Sequence, residues 1–464
     1  MSSQKKIHFE ISERKILLRV FDVVFVIVSL HFVNYFFNFY YLDISVDNFY
    51  WTIVLGLYIN ILGTVFEMYN LQVASNQFQI IRSIVLTATT TALFYLLTPI
   101  FTPLLPLNRI QILYFFLAIF VGLLLWRMFY QAFLASHRFE KKAILICDHE
   151  QIKELVAGLE SMDPHYRIVA YLNSDAYESE EFTYNGVQHI RIEELNKFIG
   201  ANSVSEIVIA SQKTEGITVP LYNELLHLLE SGFTIREYSQ LYELMTHRIP
   251  IQHLGKDFYK YFPFSRSNQN KLYLWIVKIL ETLLSLVGLS IGLIILPFII
   301  VGNFLGNKGQ LFYKQTRIGK NGNPFEIYKF RTMVKNAENN GAVFASSNDA
   351  RVTPFGKLLR KSRIDEIPQF INILKGDMGL IGPRPERPFF VNELAAIMPF
   401  YETRHIIKPG LTGWAQVNYA YGETMDHSLI KLQYDLYYIK HRSVFLDINI
   451  LVKTFSAVLF YRGQ

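Results

Sequence analysis

Apolar residues gather along this chain into five long runs, with a stretch of alternating strand and helix patterns between the fourth and fifth. Four runs lie in the first third, near 16–37, 49–66, 84–105 and 110–134. Each is about long enough to cross a bilayer, which takes roughly 20 apolar residues. The first run is long and lacks a small-residue cleavage site, so no cleaved leader is expected. Lys5, Lys6, Arg14, Lys15 and Arg19 precede the first run, and Arg127, Arg138, Lys141 and Lys142 surround the end of the fourth. The first outer loop, 38–48, carries only Asp43 and Asp47 as charges. The positive-inside rule then places both ends of a four-helix transmembrane unit, residues 1–138, in the cytoplasm. Asp22 and Glu67, near span ends, read as interface residues.

Residues 139–268 read as a Rossmann-like α/β domain. KKAILIC (141–147), RIVAYLN (167–173) and SEIVIAS (205–211) are strand-like, with helical patterns at 150–160 and 219–232, the latter closed by Gly232. Strands alternating with helices predict a parallel, doubly wound sheet. The turn after the first strand reads CDHEQ and has no glycine, so no backbone cradle for a pyrophosphate is expected there. The domain is therefore expected to be structural or regulatory and to bind no dinucleotide.

The fifth run, about 272–305, has Lys271 and Lys278 on its entry side and Lys308, Lys314 and Arg317 just past its exit. Cations on both sides do not suit a crossing. Pro297 is expected to break the helix, and Gly288, Gly292 and Gly302 to loosen it. The prediction is a re-entrant helix hairpin over 269–305, leaving 306–464 as a cytoplasmic, mixed but mainly helical domain. Within that domain LFYKQTRIGKNGNPFEIYKFRTM (311–333) alternates like a hairpin around NGNP. Helices are expected near 355–374, 387–398 and 428–461.

Charge sharpens this division. Residues 302–464 hold 22 Lys and Arg against 13 Asp and Glu, a net of +9, whereas the rest of the chain is net −3. A basic domain beside a membrane suits anionic partners such as headgroups, lipid phosphates or nucleotides. Nucleic acid is not expected, because no fold signature for it is present. One cysteine excludes an internal disulfide framework, and Cys147 reads as a small buried hydrophobe.

Candidate chemistry centres on IDEIPQFINILKGDMGLIGPRP, 364–385. Asp365 and Glu366 follow Arg360, Lys361 and Arg363, and precede Asp377 and Arg384. Fixed cations are expected to lower the carboxylate pKa values, attract an anionic substrate and hold phosphate oxygens. With Mg2+ added, two carboxylates and phosphate oxygens would make an octahedral oxygen site. No DxD pair, P-loop, Rossmann fingerprint or zinc spacing occurs, and His405, His427 and His441 form no base–nucleophile pattern.

The fifth run with Pro297, QTRIGKNGNPFEIYKFRTM (315–333), RVTPFGKLLRKSRIDEIPQFINILKGDMGLIGPRPE (351–386), KPGLTGWAQVNY (408–419) and YDLYYIKHRSVFLDINILVKTF (434–455) together resemble one family. It is the bacterial sugar transferase family, the monotopic polyprenyl-phosphate phosphoglycosyl transferases, and in particular its long four-span members that prime exopolysaccharide or O-antigen synthesis. The resemblance implies attack by Asp365 on the β-phosphate of a UDP-sugar, release of UMP, and transfer of the sugar phosphate to undecaprenyl phosphate in a ping-pong scheme. It implies Glu366 as a metal-binding or positioning partner, Mg2+ at Asp365 and Glu366, and phosphate binding by Arg384, Arg360, Arg331, Lys329 and Arg317. Trp414 and Gln416 fit the pattern too, with packing as their expected role. Pro297 would set the bend, so Pro297→Ala is expected to straighten the hairpin and impair activity. Expected partners are the UDP-sugar, undecaprenyl phosphate and lipids of the bacterial cytoplasmic membrane. A homodimer formed through the middle domain is the remaining role for that domain. The rival readings are a glycosyltransferase that releases UDP and a non-catalytic scaffold of a polysaccharide assembly complex.

Overall fold

The structure, a computed structural model, describes residues 11–42, 48–69, 74, 77–134, 141–160, 163, 166–173, 186–210, 217–251, 268, 270–335, 337, 349–419 and 425–459. Lys5, Lys6, Asp43, Asp47 and Arg138, used above for orientation, lie outside the described residues. The chain divides into two compact units, Met1–Thr246 and His247–Gln464.

The first unit begins with helices α1 (Ile11–Phe37), α2 (Phe49–Val65), α3 (Gln77–Leu97) and α4 (Ile110–Phe129). Three of these are long and apolar enough to cross a membrane; α2, at 17 residues, is a shorter apolar helix. The third helix ends eight residues before the predicted boundary of 105. Pro99, Pro103 and Pro106 follow Leu97 closely, and the residue before a proline is pushed out of the helical region. Asp22 is not an interface residue. It is fully buried against Arg127, Nη2 to Oδ2 at 2.6 Å, so these two charges tie α1 to α4 rather than flank the spans.

The parallel sheet follows, with strands β1 (Lys141–Cys147), β2 (Tyr166–Asn173), β3 (Gln188–His189), β4 (Glu206–Ile209) and β5 (Thr234–Glu237) in the order β3-β2-β1-β4-β5. Helices α5 (Ile152–Glu160) and α8 (Tyr238–Thr246) cover one face. Helices α6 (Leu195–Asn202) and α7 (Val219–Glu230) cover the other. Cys147 sits in the first of these cores as a buried apolar residue. The domain stops at Thr246 rather than 268, because Ile249 and Ile251 belong to the core of the second unit.

The second unit opens on α9 (Lys271–Gly302), capped by Asn270, whose Oδ1 accepts from the amides of Leu272 and Tyr273. A π-turn, Asn303–Asn307, follows. The predicted hairpin is absent: the helix runs unbroken through Pro297. Proline removes one backbone bond there, but contacts on either side hold the helix to one surface. Before it, Gly288 and Gly292 receive Phe370 and Ile367 so closely that a Cβ would meet them within 3 Å. After it, Ile299 packs with Phe330 and Leu359. The opposite face stays bare, with Trp275, Leu283, Leu293, Ile294 and Phe298 exposed.

Strands β6 (Phe312–Ile318) and β7 (Pro324–Phe330) form the predicted hairpin. Beyond it come α10 (Pro354–Lys361), α11 (Gln369–Lys375), β8 (Gly379–Ile381), α12 (Pro388–Ile397), β9 (Gly410–Thr412), α13 (Trp414–Asn418), α14 (Met425–His441) and α15 (Val444–Leu459). Trp414 fills the core, its Nε1 donating to the His247 carbonyl, and Gln416 donates to the Leu411 carbonyl, so both pack as expected.

Candidate active site

Thr353 caps α10 by accepting from the Gly356 amide, and Pro354 starts the helix. The chain then turns sharply. Arg363 takes a left-handed conformation, φ +56°, which costs a non-glycine residue about 1–2 kcal/mol. Ile364–Glu366 make a single 3-10 turn, and Gln369 starts α11, which ends on Gly376 at φ +89°. This turn buries both carboxylates, leaving Asp365 7% and Glu366 8% exposed.

The two carboxylates have opposite surroundings. Glu366 Oε1 accepts from Lys329 Nζ at 3.1 Å and Arg384 Nη2 at 3.0 Å, and its Oε2 accepts from Arg363 Nη1 at 3.3 Å. Burial alone would raise the Glu366 pKa, but Lys329, Arg384 and Arg363 outweigh it and hold the group ionised well below the usual carboxylate range. Among the described residues nothing donates a hydrogen bond to Asp365. The expected lowering by the cation cluster holds for Glu366 and fails for Asp365: burial, and next the charge of Glu366, push the Asp365 pKa above that range, against the opposing pull of Lys329, Arg360 and Arg384. One carboxylate is a clamped anion and its neighbour keeps open oxygens.

Of the predicted phosphate binders, Lys329 from β7 and Arg384 from the PRP turn meet at Glu366. Arg360 stands beside Asp365 and donates through Nε to Thr332 Oγ1 at 2.9 Å. Arg317 reaches the same region but is spent on the turn itself. Its Nη1 donates to the Pro385 carbonyl at 3.1 Å and to Glu386 at 3.4 Å, and its Nη2 donates to Gln315 at 2.6 Å. Arg331 does not belong to the site. Its buried guanidinium donates to the carbonyls of Gln310, Met333 and Asn307, closing the exit of α9. Arginine is suited to such a fork of carbonyls, and the sequence gives no sign of which arginine takes it.

Two residues escaped sequence reasoning. Arg404 is buried, and its Nη2 donates to the Arg384 carbonyl at 3.0 Å and to Asp435 Oδ2 at 2.7 Å, while Nη1 donates to Tyr401 Oη at 2.6 Å. It thus fixes the PRP turn from behind. Arg404 stands outside the segments that carry the resemblance, and Asp435, though inside the 434–455 segment, gives no sign of its partner, so each reads as a solvated charge until the fold pairs them.

Mg2+ was expected at both carboxylates. Among the described residues no three His, Cys, Asp or Glu side chains come together as a metal cage. Asp365 offers open oxygens, which suits an Mg2+ held chiefly by phosphate oxygens and water. Glu366 Oε1 is already occupied by two donors, so Glu366 could join the ion only through Oε2, which accepts one hydrogen bond, from Arg363. Next to the dyad a pocket is lined by Arg317, Ile327, Lys329, Gln369, Arg384, Pro385 and Gly410.

Comparison with known proteins bears on this geometry. The family described as bacterial sugar transferase matches residues 272–461, the helix α9 and nearly all that follows it. A second, described as a CoA-binding domain, matches 64–221. A UDP-N-acetylgalactosamine-undecaprenyl-phosphate N-acetylgalactosaminephosphotransferase of Aeromonas hydrophila is 40% identical over 220 residues, 47% of this chain and 51% of that protein. A UDP-glucose:undecaprenyl-phosphate glucose-1-phosphate transferase of Xanthomonas campestris is 42% identical over 164 residues, 35% of this chain and 34% of its own length. An uncharacterized sugar transferase of Bacillus subtilis is 40% identical over 153 residues, which make up 72% of it and 33% of this chain. The chain belongs to the bacterial sugar transferase family. It spans about half of the Aeromonas relative and a third of the Xanthomonas one. The bacterial sugar transferase match contains the dyad, Asp365 and Glu366, and the basic residues around it: Arg317, Lys329, Arg360, Arg363, Arg384 and Arg404.

Proposed function

We propose that this chain transfers a sugar 1-phosphate from a UDP-sugar to undecaprenyl phosphate, the initiating step of surface polysaccharide synthesis. The observation that carries this reading is the unequal dyad, an open Asp365 beside a Glu366 clamped by three cations. A nucleophile needs an oxygen free of hydrogen bonds, and its neighbour's bound charge keeps the local cations in place.

In the first step an Asp365 oxygen bonds to the β-phosphorus as the bond to the UMP oxygen breaks, and that oxygen keeps the electron pair. In the second, an oxygen of undecaprenyl phosphate bonds to the same phosphorus. The bond to Asp365 breaks and the free carboxylate returns. Neither step needs a proton. Lys329, Arg384 and Arg360 hold the phosphate oxygens while charge shifts, and Glu366, Arg404 and Arg317 position Arg384 and its turn. Mg2+, held by Asp365 and the diphosphate oxygens, would supply neutralisation of the departing UMP.

Helix α9 is proposed to lie at the cytoplasmic surface of the inner membrane, both ends on one side. The catalytic unit grips it from Tyr273, which hydrogen-bonds Asp447, to Asn307, which donates to the Arg331 carbonyl. A helix gripped along its whole length cannot cross without drawing polar structure into lipid. The reading is tested by the half-reaction. With UDP-sugar and Mg2+ but no lipid acceptor, about one UMP per protein should appear and the protein mass should rise by one sugar phosphate, located on Asp365. A mass that never changes while product forms would rule out the covalent route.

A further inference from the structure

Gln369 opens α11, four residues along the chain from Asp365 and just past the 3-10 turn that carries the nucleophile. It lines the pocket with Lys329 and Arg384, yet is only 3% exposed. Its Nε2 is buried without an acceptor among the described residues. One turn further, Asn372 shows what a structural amide does on this helix. Its Oδ1 accepts from the Tyr328 amide at 3.1 Å, and its Nδ2 donates to the Glu326 carbonyl at 2.7 Å. A buried amide donor without an acceptor is a cost to the fold, and such groups are rare unless a ligand completes them.

We propose that Gln369 contacts the substrate, its amide donating to a phosphate oxygen of the nucleotide diphosphate. The inference rests on the phosphoglycosyl-transfer reading. The charge of the pocket selects this ligand chemistry: Arg317, Lys329 and Arg384 line it beside the apolar Ile327 and Pro385, and no carboxylate is among its lining residues. Lys329 and Arg384 each already give one donor to Glu366. A neutral amide adds a further donor without more positive charge. It can rotate about its last bond to present its N–H groups to the pocket.

The test compares wild type with Gln369→Leu, which keeps similar bulk and loses polarity, by UDP binding in calorimetry and by thermal unfolding of the full-length protein. UDP should bind roughly tenfold more weakly in the variant, the loss of one hydrogen bond to a charged group. Tm should stay level or rise, because an unpaired buried amide donor has been removed. Gln369→Glu should bind UDP more weakly still, recovering as pH falls and the new carboxyl protonates. UDP affinity within twofold of wild type in Gln369→Leu would overturn the proposal, as would a fall in Tm of several degrees, the mark of a packing residue. Wild-type UDP binding without nucleotide release from any UDP-sugar would sink the transfer reading while leaving the Gln369 contact standing.

Discussion

Ile367, the residue that follows the dyad, seats its Cγ2 on Gly292 of helix α9, where a Cβ would come within 2.7 Å. The catalytic turn is therefore built directly against the apolar helix. Phe370 meets Gly288 in the same way, one turn earlier along the helix. Position at the bilayer and position of the nucleophile are set by one contact surface.

Gly292→Val should uncouple the two. A branched side chain there forces Ile367 away, and overpacking of this kind costs about 1–3 kcal/mol. UMP release should fall at least tenfold while the protein still fractionates with membranes. Release within twofold of wild type would show that the dyad does not depend on this seat.

The ends of α9 should share one side of the membrane. Single cysteines at Lys271→Cys and Lys314→Cys, in a Cys147→Ala background, should both be labelled by an impermeant maleimide only after the cytoplasmic side is opened. Labelling of either from outside intact cells would mean a crossing helix. Pro297→Ala restores a backbone bond within an already continuous helix, so it should raise Tm slightly.

The five apolar runs, the parallel sheet and the β6–β7 hairpin were legible because period and length report burial directly. The Asp365–Glu366 dyad was legible from its cations. What stayed hidden depends on pairing across the fold. Arg331 and Arg384 look alike in sequence, but one satisfies carbonyls at the exit of α9 and the other meets Glu366. Pro297 misled because sequence shows the lost hydrogen bond and not the packing that carries the helix past it. Asp22 misled similarly, since Arg127 lies 105 residues away.

Asp365→Asn should abolish transfer and stabilise the protein. The Asp365 carboxyl is raised by burial and by Glu366, so its ionised form is disfavoured in the folded state. A raised carboxyl contributes stability when protonated and loses it as pH rises through the folded pKa. The gain from Asn should thus be largest at neutral pH and above, and shrink as pH falls through that range. A Tm gain of a few degrees corresponds to about 1 kcal/mol. A variant less stable than wild type at pH 8 would contradict the assigned environment. The acid limb of the wild-type rate profile should likewise lie above the ~3.9 of an ordinary aspartate.

Arg404→Met should strand Asp435 and free the PRP turn. Breaking a buried pair on one side costs about 3–5 kcal/mol. Asp435→Asn in the same chain should recover stability but not rate, because the Arg384 carbonyl is still unheld. Recovery of both would make Arg404 a purely structural residue.

The most direct measurement is the identity of the released nucleotide, using full-length protein with Mg2+, a panel of UDP-sugars and undecaprenyl phosphate, wild type against Asp365→Asn. Wild type should release UMP with at least one sugar, and the variant should release none. Release of UDP, or UMP release that survives Asp365→Asn, would contradict phosphosugar transfer through Asp365.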